Sequence, residues 1–239
     1  MKRFYKVVTV EATEGGFGVR LDGRAIKTVG GKPQTVPTRA LAQAMAEEWA
    51  AQPEEIDPAR FVLRDMADYA LDVVAPAPDA VAGEILPYAE TDTLCYRAEP
   101  DEAFAARQRL MWDPLLADAE NRLGVRFVRV AGIIHKPQPA ETLARLRAEL
   151  ESLDAFSLAA LRNTSSLAAS LIIGLAALRP DADLDALWDA ANLEEDWQAE
   201  LWGKDAEAMD RREKRAAAFA AAARFAGLAK DGGKRGSAC

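Results

Sequence analysis

Few side chains in this sequence are of the types that attack a carbon, hold a metal or shuttle protons. The 239 residues include one histidine, His135, and two cysteines, Cys95 and Cys239. A nucleophilic dyad needs its thiol within hydrogen-bond reach of a base, and nothing around Cys95 or His135 has the form of such a motif. His135, followed by Lys136-Pro137, reads as a plain surface residue in a loop. One histidine and two distant cysteines cannot build a typical zinc site, and no D-x-D-x-D-G calcium loop occurs. "GGKP" (30–33) and "GGKR" (232–235) lack the spaced first glycine and trailing Ser/Thr of a phosphate-binding loop. Asp68 and Asp72 stand four apart on a helical pattern, where most carboxylate pairs are simply solvated. No cofactor and no metal is expected. A small hydrolase using Cys95 or the paired carboxylates is the weakest of the functional readings.

The densest polar chemistry lies in "NLEEDWQAELWGKDAEA" (192–208), where acids crowd around two tryptophans without Ser, Thr, Cys or His. Asn192 with Glu195 three residues later has the spacing of a capping box. At roughly 100° per residue, Leu193, Trp197 and Leu201 form one stripe, the expected core face. Glu195 and Trp202 fall opposite, with Gln198 between them and Glu194 at the boundary. Gly203 suits the end of this helix; Asp205 can cap the next, with Glu207 near its positive end. Glu194, Glu195 and Asp196 also suit a helix N-terminus for macrodipole reasons alone. An outward Trp202 among charges, however, has the composition of an interface anchor. The expectation is a partner-binding surface made by Glu194, Glu195, Asp196, Gln198, Trp202, Asp205 and Glu207.

The elements that must position these residues follow from the patterning. "FYKVVTVEA" is Val- and aromatic-rich and partly alternating, and Asp22-Gly23 is the dipeptide of a tight hairpin between two short strands. A short strand "QTV" follows, and Pro37-Thr38 opens a helix whose Leu41, Met45 and Trp49 recur on one face. "LRDMADYALDVV" places Leu63, Met66, Ala67, Ala70, Leu71 and Val74 on a second stripe, and Asp79 is a candidate cap for the helix after it. A helix from about Asp101 to Leu123 is expected to kink or restart at Pro114 and to end at Gly124. "VRFVRVAGII" (125–134) alternates like a strand. Helices are then expected over about 140–151, 154–163, 164–178, 183–190, 193–202 and 205–229. The fold class is α+β: a small antiparallel β-rich N-terminal domain with one helix (1–65), a larger all-helical domain (66–230) and a flexible tail (231–239).

The formal net charge is −8 and the pI about 4.9, which argues against a nucleic-acid partner. The charge is uneven: residues 51–100 and 151–203 each sum to −8, whereas 1–50 sum to +3 and 204–239 to +4. Acidic blocks of this kind suit a basic partner. The cysteine usage fits a reducing compartment. "SLAASLIIGLAAL" (166–178) is too short for the ~20 residues of a membrane span. A cytoplasmic protein without membrane insertion is expected.

Several stretches in order carry a resemblance: "RFYKVVTV", "LDGRAIKT", "VPTRALAQAMAEEW" followed by "EEIDP", "ILPYAETDTLCYR", "WDPLL" and "LEEDWQAELWG". Over nearly its whole length the chain resembles the assembly-chaperone family of the F(1) sector of ATP synthase, whose members handle the alpha subunit in mitochondria and alphaproteobacteria. The resemblance implies a bacterial, monomeric, non-enzymatic chaperone that keeps the free alpha subunit soluble until beta takes it over. It places the family's functional acid at Glu194 or Glu195. "LRDMADYALD" (63–72) departs from the family pattern, so Asp68 and Tyr69 inherit no role, and Lys204 stands where the family often has an acid. A general holdase or adaptor with no dedicated client is the alternative.

Overall fold

The computed structural model describes residues 1–132, 136–203 and 205–230. The expected tail at 231–239 and His135 lie outside the described residues.

At the N-terminus, β1 (Val8–Thr13) and β2 (Gly16–Leu21) pair antiparallel from Val8 opposite Leu21 to Thr13 opposite Gly16, and β3 (Arg24–Ala25) returns along β2. Asp22 (φ 49°) and Gly23 (φ 79°) make the turn, both left-handed as a two-residue hairpin requires. The Asp22 carboxylate also accepts from Val7 N and Lys6 N, and these bonds hold its pKa below the usual value. The expected "QTV" strand contributes only an isolated bridge, Val36 opposite Phe17.

Helix α1 (Arg39–Ala50) starts at Thr38, whose hydroxyl oxygen accepts from Leu41 N at 3.0 Å. Its face of Leu41, Met45 and Trp49 is buried as the spacing predicts. Helix α2 (Val62–Tyr69) continues into a π-helical turn at Ala70–Val74; Leu63, Met66, Ala67, Ala70 and Val74 are buried, and Leu71 is half-buried.

Asp68 and Asp72 are not a solvated pair. Asp68 is buried and accepts from Val29 N, the Gln34 amide and Arg64; Asp72 accepts from Gly30 N at 2.7 Å and the Thr28 hydroxyl at 2.8 Å. The two carboxylates clamp the loop after β3, because its turn leaves backbone N–H groups that need acceptors.

The described residues form two compact units. The first takes Met1–Pro78 and Asp154–Ala160, together with 221–230. Within it the Thr38 hydroxyl donates to Leu228 O at 2.6 Å, and Phe156 packs on Phe225 with ring centroids 5.9 Å apart. The expected limits at 1–65 and 66–230 run in chain order, whereas these units are discontinuous; contacts between residues 190 apart leave no periodic signal.

The second unit takes Asp79–Leu153 and Leu161–Ala220. Its helices, some shared with the first unit along the chain, are α3 (Pro78–Ile85), α4 (Pro87–Glu90), α5 (Ala103–Leu123), α6 (Ala140–Glu151), α7 (Ala155–Ala168), α8 (Leu171–Ala177), α9 (Leu184–Ala191), α10 (Leu193–Trp202) and α11 (Ala206–Lys230). Asp79 lies inside the first turn of α3 rather than ahead of it. Pro114 neither breaks nor restarts α5: the carbonyl it deprives of a donor belongs to Leu110, on the exposed side. Gly124 ends α5 with φ 66°. Within its described part, 125–132, the expected strand over 125–134 is reduced to β5 (Val130–Ala131), parallel to β4 (Tyr96–Arg97). Side chains explain why: Gln138 bonds both Val128 N and Val128 O, and Glu120 takes Phe127 N, so the backbone has no need of a ladder. The break between α7 and α8 falls at Ala169 (φ 49°) and Ser170, whose hydroxyl oxygen caps Ile173 N at 3.0 Å. Gly174 of α8 lets the helices approach, since a Cβ there would lie 3.0 Å from Ser165 N. Overall the architecture is the expected α+β class, with a small antiparallel sheet first and helices after it.

Candidate partner-binding surface

The acidic stretch folds as α10 and the start of α11, within the second unit. Leu193 is the buried residue of α10, and Trp197, half-buried, stacks on Phe104 of α5 with centroids 5.5 Å apart. Leu201, expected in the core, is 57% exposed, because the packing beneath α10 ends at Trp197. The capping box does not form: the Asn192 amide is buried and donates to Trp188 O at 2.8 Å, sealing the end of α9 instead. Gly203, with φ 94°, does end α10, and Asp205 caps α11 by accepting from Glu207 N at 3.1 Å.

Of the seven predicted residues, Glu194, Glu195, Gln198, Trp202, Asp205 and Glu207 are exposed, and Asp196 is half-buried. Trp202 is 79% exposed, the outward tryptophan the pattern predicts. The arginines of α11 were not foreseen. Arg212 pairs with Asp196 and with Asp189 at 3.3 Å; Arg215 reaches Glu195 at 3.6 Å while its guanidinium lies 5.5 Å over Trp188 and donates to Leu167 O. Arg211 pairs with Glu207 four residues before it. From α5, Arg107 makes a two-pronged bond to Glu200 at 2.6 and 2.9 Å, which raises the arginine's pKa. These cations hold the carboxylates in place and neutralise part of their charge. Glu194, Asp205 and Glu213 have no salt-bridge partner among the described residues.

A groove of about 840 Å³ lies along this face, lined by seven carboxylates (Asp189, Glu195, Asp196, Glu200, Asp205, Asp210, Glu213) against two guanidiniums (Arg107, Arg212). Its remaining walls are Trp188, Met209 and four alanines. Met209 and Leu201 add exposed apolar area beside the acids. Sequence reasoning missed Asp189, Glu200, Asp210 and Glu213, which the helix-to-helix arrangement brings to the groove, and of the predicted residues Glu194, Gln198, Trp202 and Glu207 do not line it. Such a surface offers negative potential and apolar contact.

Cys95 is buried, and burial followed by the charge of Asp92 pushes its thiol up to about 12, so it stays protonated. Asp92 itself is fully buried and, chiefly through burial, has a pKa of about 6 although it accepts from Leu94 N and Ile172 N. Glu120 feels burial first, but bonds from Arg129 and Phe127 N outweigh it and lower its pKa. Among the described residues no group of three His, Cys, Asp or Glu side chains could hold a metal ion, and no helix is long and apolar enough to cross a membrane.

Comparison with known proteins decides the family. The sequence model described as ATP12 chaperone protein matches residues 2–120. The crystal structure of Atp12 from Paracoccus denitrificans superposes with a TM-score of 0.91 at 41% identity, covering 96% of this chain and 98% of that one. The chain belongs to the ATP12 chaperone family. Family membership makes it a chaperone of ATP synthase assembly. A second Paracoccus structure, an aspartate-to-lysine mutant of Atp12p, matches with the same score, identity and coverage. The mitochondrial protein atp12 of Schizosaccharomyces pombe is 28% identical over 223 residues, 87% of this chain and 77% of that protein. The structural matches include the acidic face within their span, whereas the family's sequence model ends before it.

Proposed function

We propose that this chaperone binds the free alpha subunit of F(1)-ATPase and keeps it soluble until the beta subunit takes it over. The observation that carries the reading is the acidic groove of α9–α11, together with Trp202 of α10, which is exposed outside the groove's lining. A free subunit exposes the apolar and basic surface that its neighbour will later cover, and patches of that kind aggregate. A face of seven carboxylates would draw such a surface by charge, and Trp202 would anchor it. The pairs to Arg107, Arg212 and Arg215 keep the carboxylates preformed, so little ordering is lost on binding. Glu194, Glu195, Asp196, Gln198, Trp202, Asp205 and Glu207 are the residues assigned to the contact. The chaperone acts as a cytoplasmic monomer in a bacterium.

The test is to express the alpha subunit without beta, with and without this chain, and to measure soluble alpha beside an unrelated aggregating protein. Rescue of alpha alone supports a dedicated client. Equal rescue of both proteins would make the chain a general holdase, and rescue of neither would remove the client altogether.

A further inference from the structure

The first unit carries a second groove of opposite sign, which the acidic face does not explain. It measures about 530 Å³, within the ~300–1,000 Å³ of ligand clefts, and lies against the segment preceding β1, the β2–β3 hairpin and the C-terminal end of α1. Three aromatics line it: Phe4, which is 64% exposed, Tyr5, and Trp49, which is 8% exposed. Three cations line it as well, Arg24, Lys27 and Arg64. Its one carboxylate, Asp22, is already engaged by Lys6 N and Val7 N. Among the described residues no acid lies within ion-pair distance of Arg24 or Lys27. In a chain of net charge −8 this is a basic island.

Two donors in the same lining lack acceptors. The Trp49 indole N–H and the Arg64 Nε–H are buried with no hydrogen-bond partner, and a buried unsatisfied donor costs about 1–3 kcal/mol. Arg64 is otherwise committed, with one amino group on Asp65 at 3.0 Å, the other on Asp68 at 3.4 Å, and its plane 5.9 Å from the Trp49 ring centroid. The negative charge of an occupant bearing carboxylates would meet Arg24 and Lys27. An apolar side chain on the same occupant would cover the exposed Phe4 ring.

We propose that this groove, formed by Phe4, Tyr5, Trp49, Arg24, Lys27 and Arg64, docks an acidic segment of a protein partner that carries an apolar anchor among its carboxylates. It is independent of the acidic face, which selects cationic surface, so each site can fail without the other.

The experiment uses the whole chain and a hexapeptide labelled at its N-terminal amine, fluoresceinyl-Asp-Glu-Phe-Asp-Glu-Leu-amide, read by anisotropy. The peptide binds at about 25 mM salt and weakens at about 300 mM, as exposed charge pairs do. Arg24→Glu with Lys27→Glu weakens binding by at least about tenfold, Phe4→Ala weakens it, and a peptide with lysines for its acids shows no binding that the double variant weakens. Both cations are exposed, so the urea midpoint of the double variant stays at the wild-type value. Absence of binding, or binding the double variant leaves intact, overturns the proposal. So does equal binding of an acidic peptide with alanine for Phe and Leu. Retention on phosphatidylglycerol vesicles that the double variant loses, without peptide binding, would assign the groove to a lipid surface and likewise overturn it.

Discussion

Asp92 is fully buried at the junction between the loop before β4 and the start of α8, and its ionisation should set part of the fold's pH dependence. Its carboxylate accepts from Leu94 N and Ile172 N at 3.0 Å each, yet burial outweighs these bonds and moves its pKa from 3.8 to about 6. A folded pKa above the unfolded one means that the folded chain holds the proton more tightly. The stability from this group is therefore fully present below about 3.8 and is lost as pH rises through about 6. The difference between those two values corresponds to about 3 kcal/mol. Other carboxyls are shifted as well: Glu48 and Asp68 are raised by burial, and Asp22 is lowered by its backbone bonds. The Asp92→Asn variant isolates the term, since it cannot ionise and leaves those groups in place. Urea unfolding of both proteins at pH 4 and pH 7.5 should show the wild type losing about 2 kcal/mol relative to the variant, because pH 4 already lies just above the unfolded value of 3.8. A pH-independent difference would refute the reasoning. A difference of opposite sign would show that the N–H donors at the start of α8 win over burial.

Trp202→Ala should cost about 2 kcal/mol of partner affinity, some thirtyfold in Kd by titration, and leave the melting temperature unchanged because the ring is 79% exposed. Asp68→Ala removes the buried acceptor of Val29 N and the partner of Arg64, and should destabilise by about 2–3 kcal/mol in urea unfolding. Asp72→Ala, at the more open end of the same clamp, should cost about 1–2 kcal/mol. Cys95 should resist a thiol reagent in the native protein and react once urea unfolds it, since burial holds the thiol protonated; rapid native labelling would contradict its placement.

Local order in this chain was legible wherever a short-range rule governs it. The Asp22-Gly23 hairpin, the Thr38 cap, the face of Leu41, Met45 and Trp49, and the limits of α6 and α10 follow from turn chemistry and periodicity. The failures share one cause, which is side-chain and packing partners that periodicity and capping rules do not specify. Asn192 looks like a cap, but Trp188 O takes its amide. Leu201 has core spacing, but the packing stops at Trp197. Residues 125–134 alternate like a strand, but Glu120 takes the backbone of Phe127 and Gln138 that of Val128. In the candidate site, the outward Trp202 and exposed Glu194 were readable from helical geometry. The guanidiniums of Arg107, Arg212 and Arg215 beside those acids were not, since they arrive from α5 and α11.

The central claim is that the acidic face holds the alpha subunit, and co-elution of purified components tests it most directly. The wild-type chain should elute with alpha on size exclusion, and added beta should dissolve that complex. Glu194→Lys with Glu195→Lys should abolish co-elution while shifting unfolding by no more than about 1 kcal/mol, because Glu194 has no salt-bridge partner among the described residues and the Glu195–Arg215 pair is exposed at 3.6 Å. A double variant that still co-elutes with alpha, or a complex that beta leaves intact, would contradict the account.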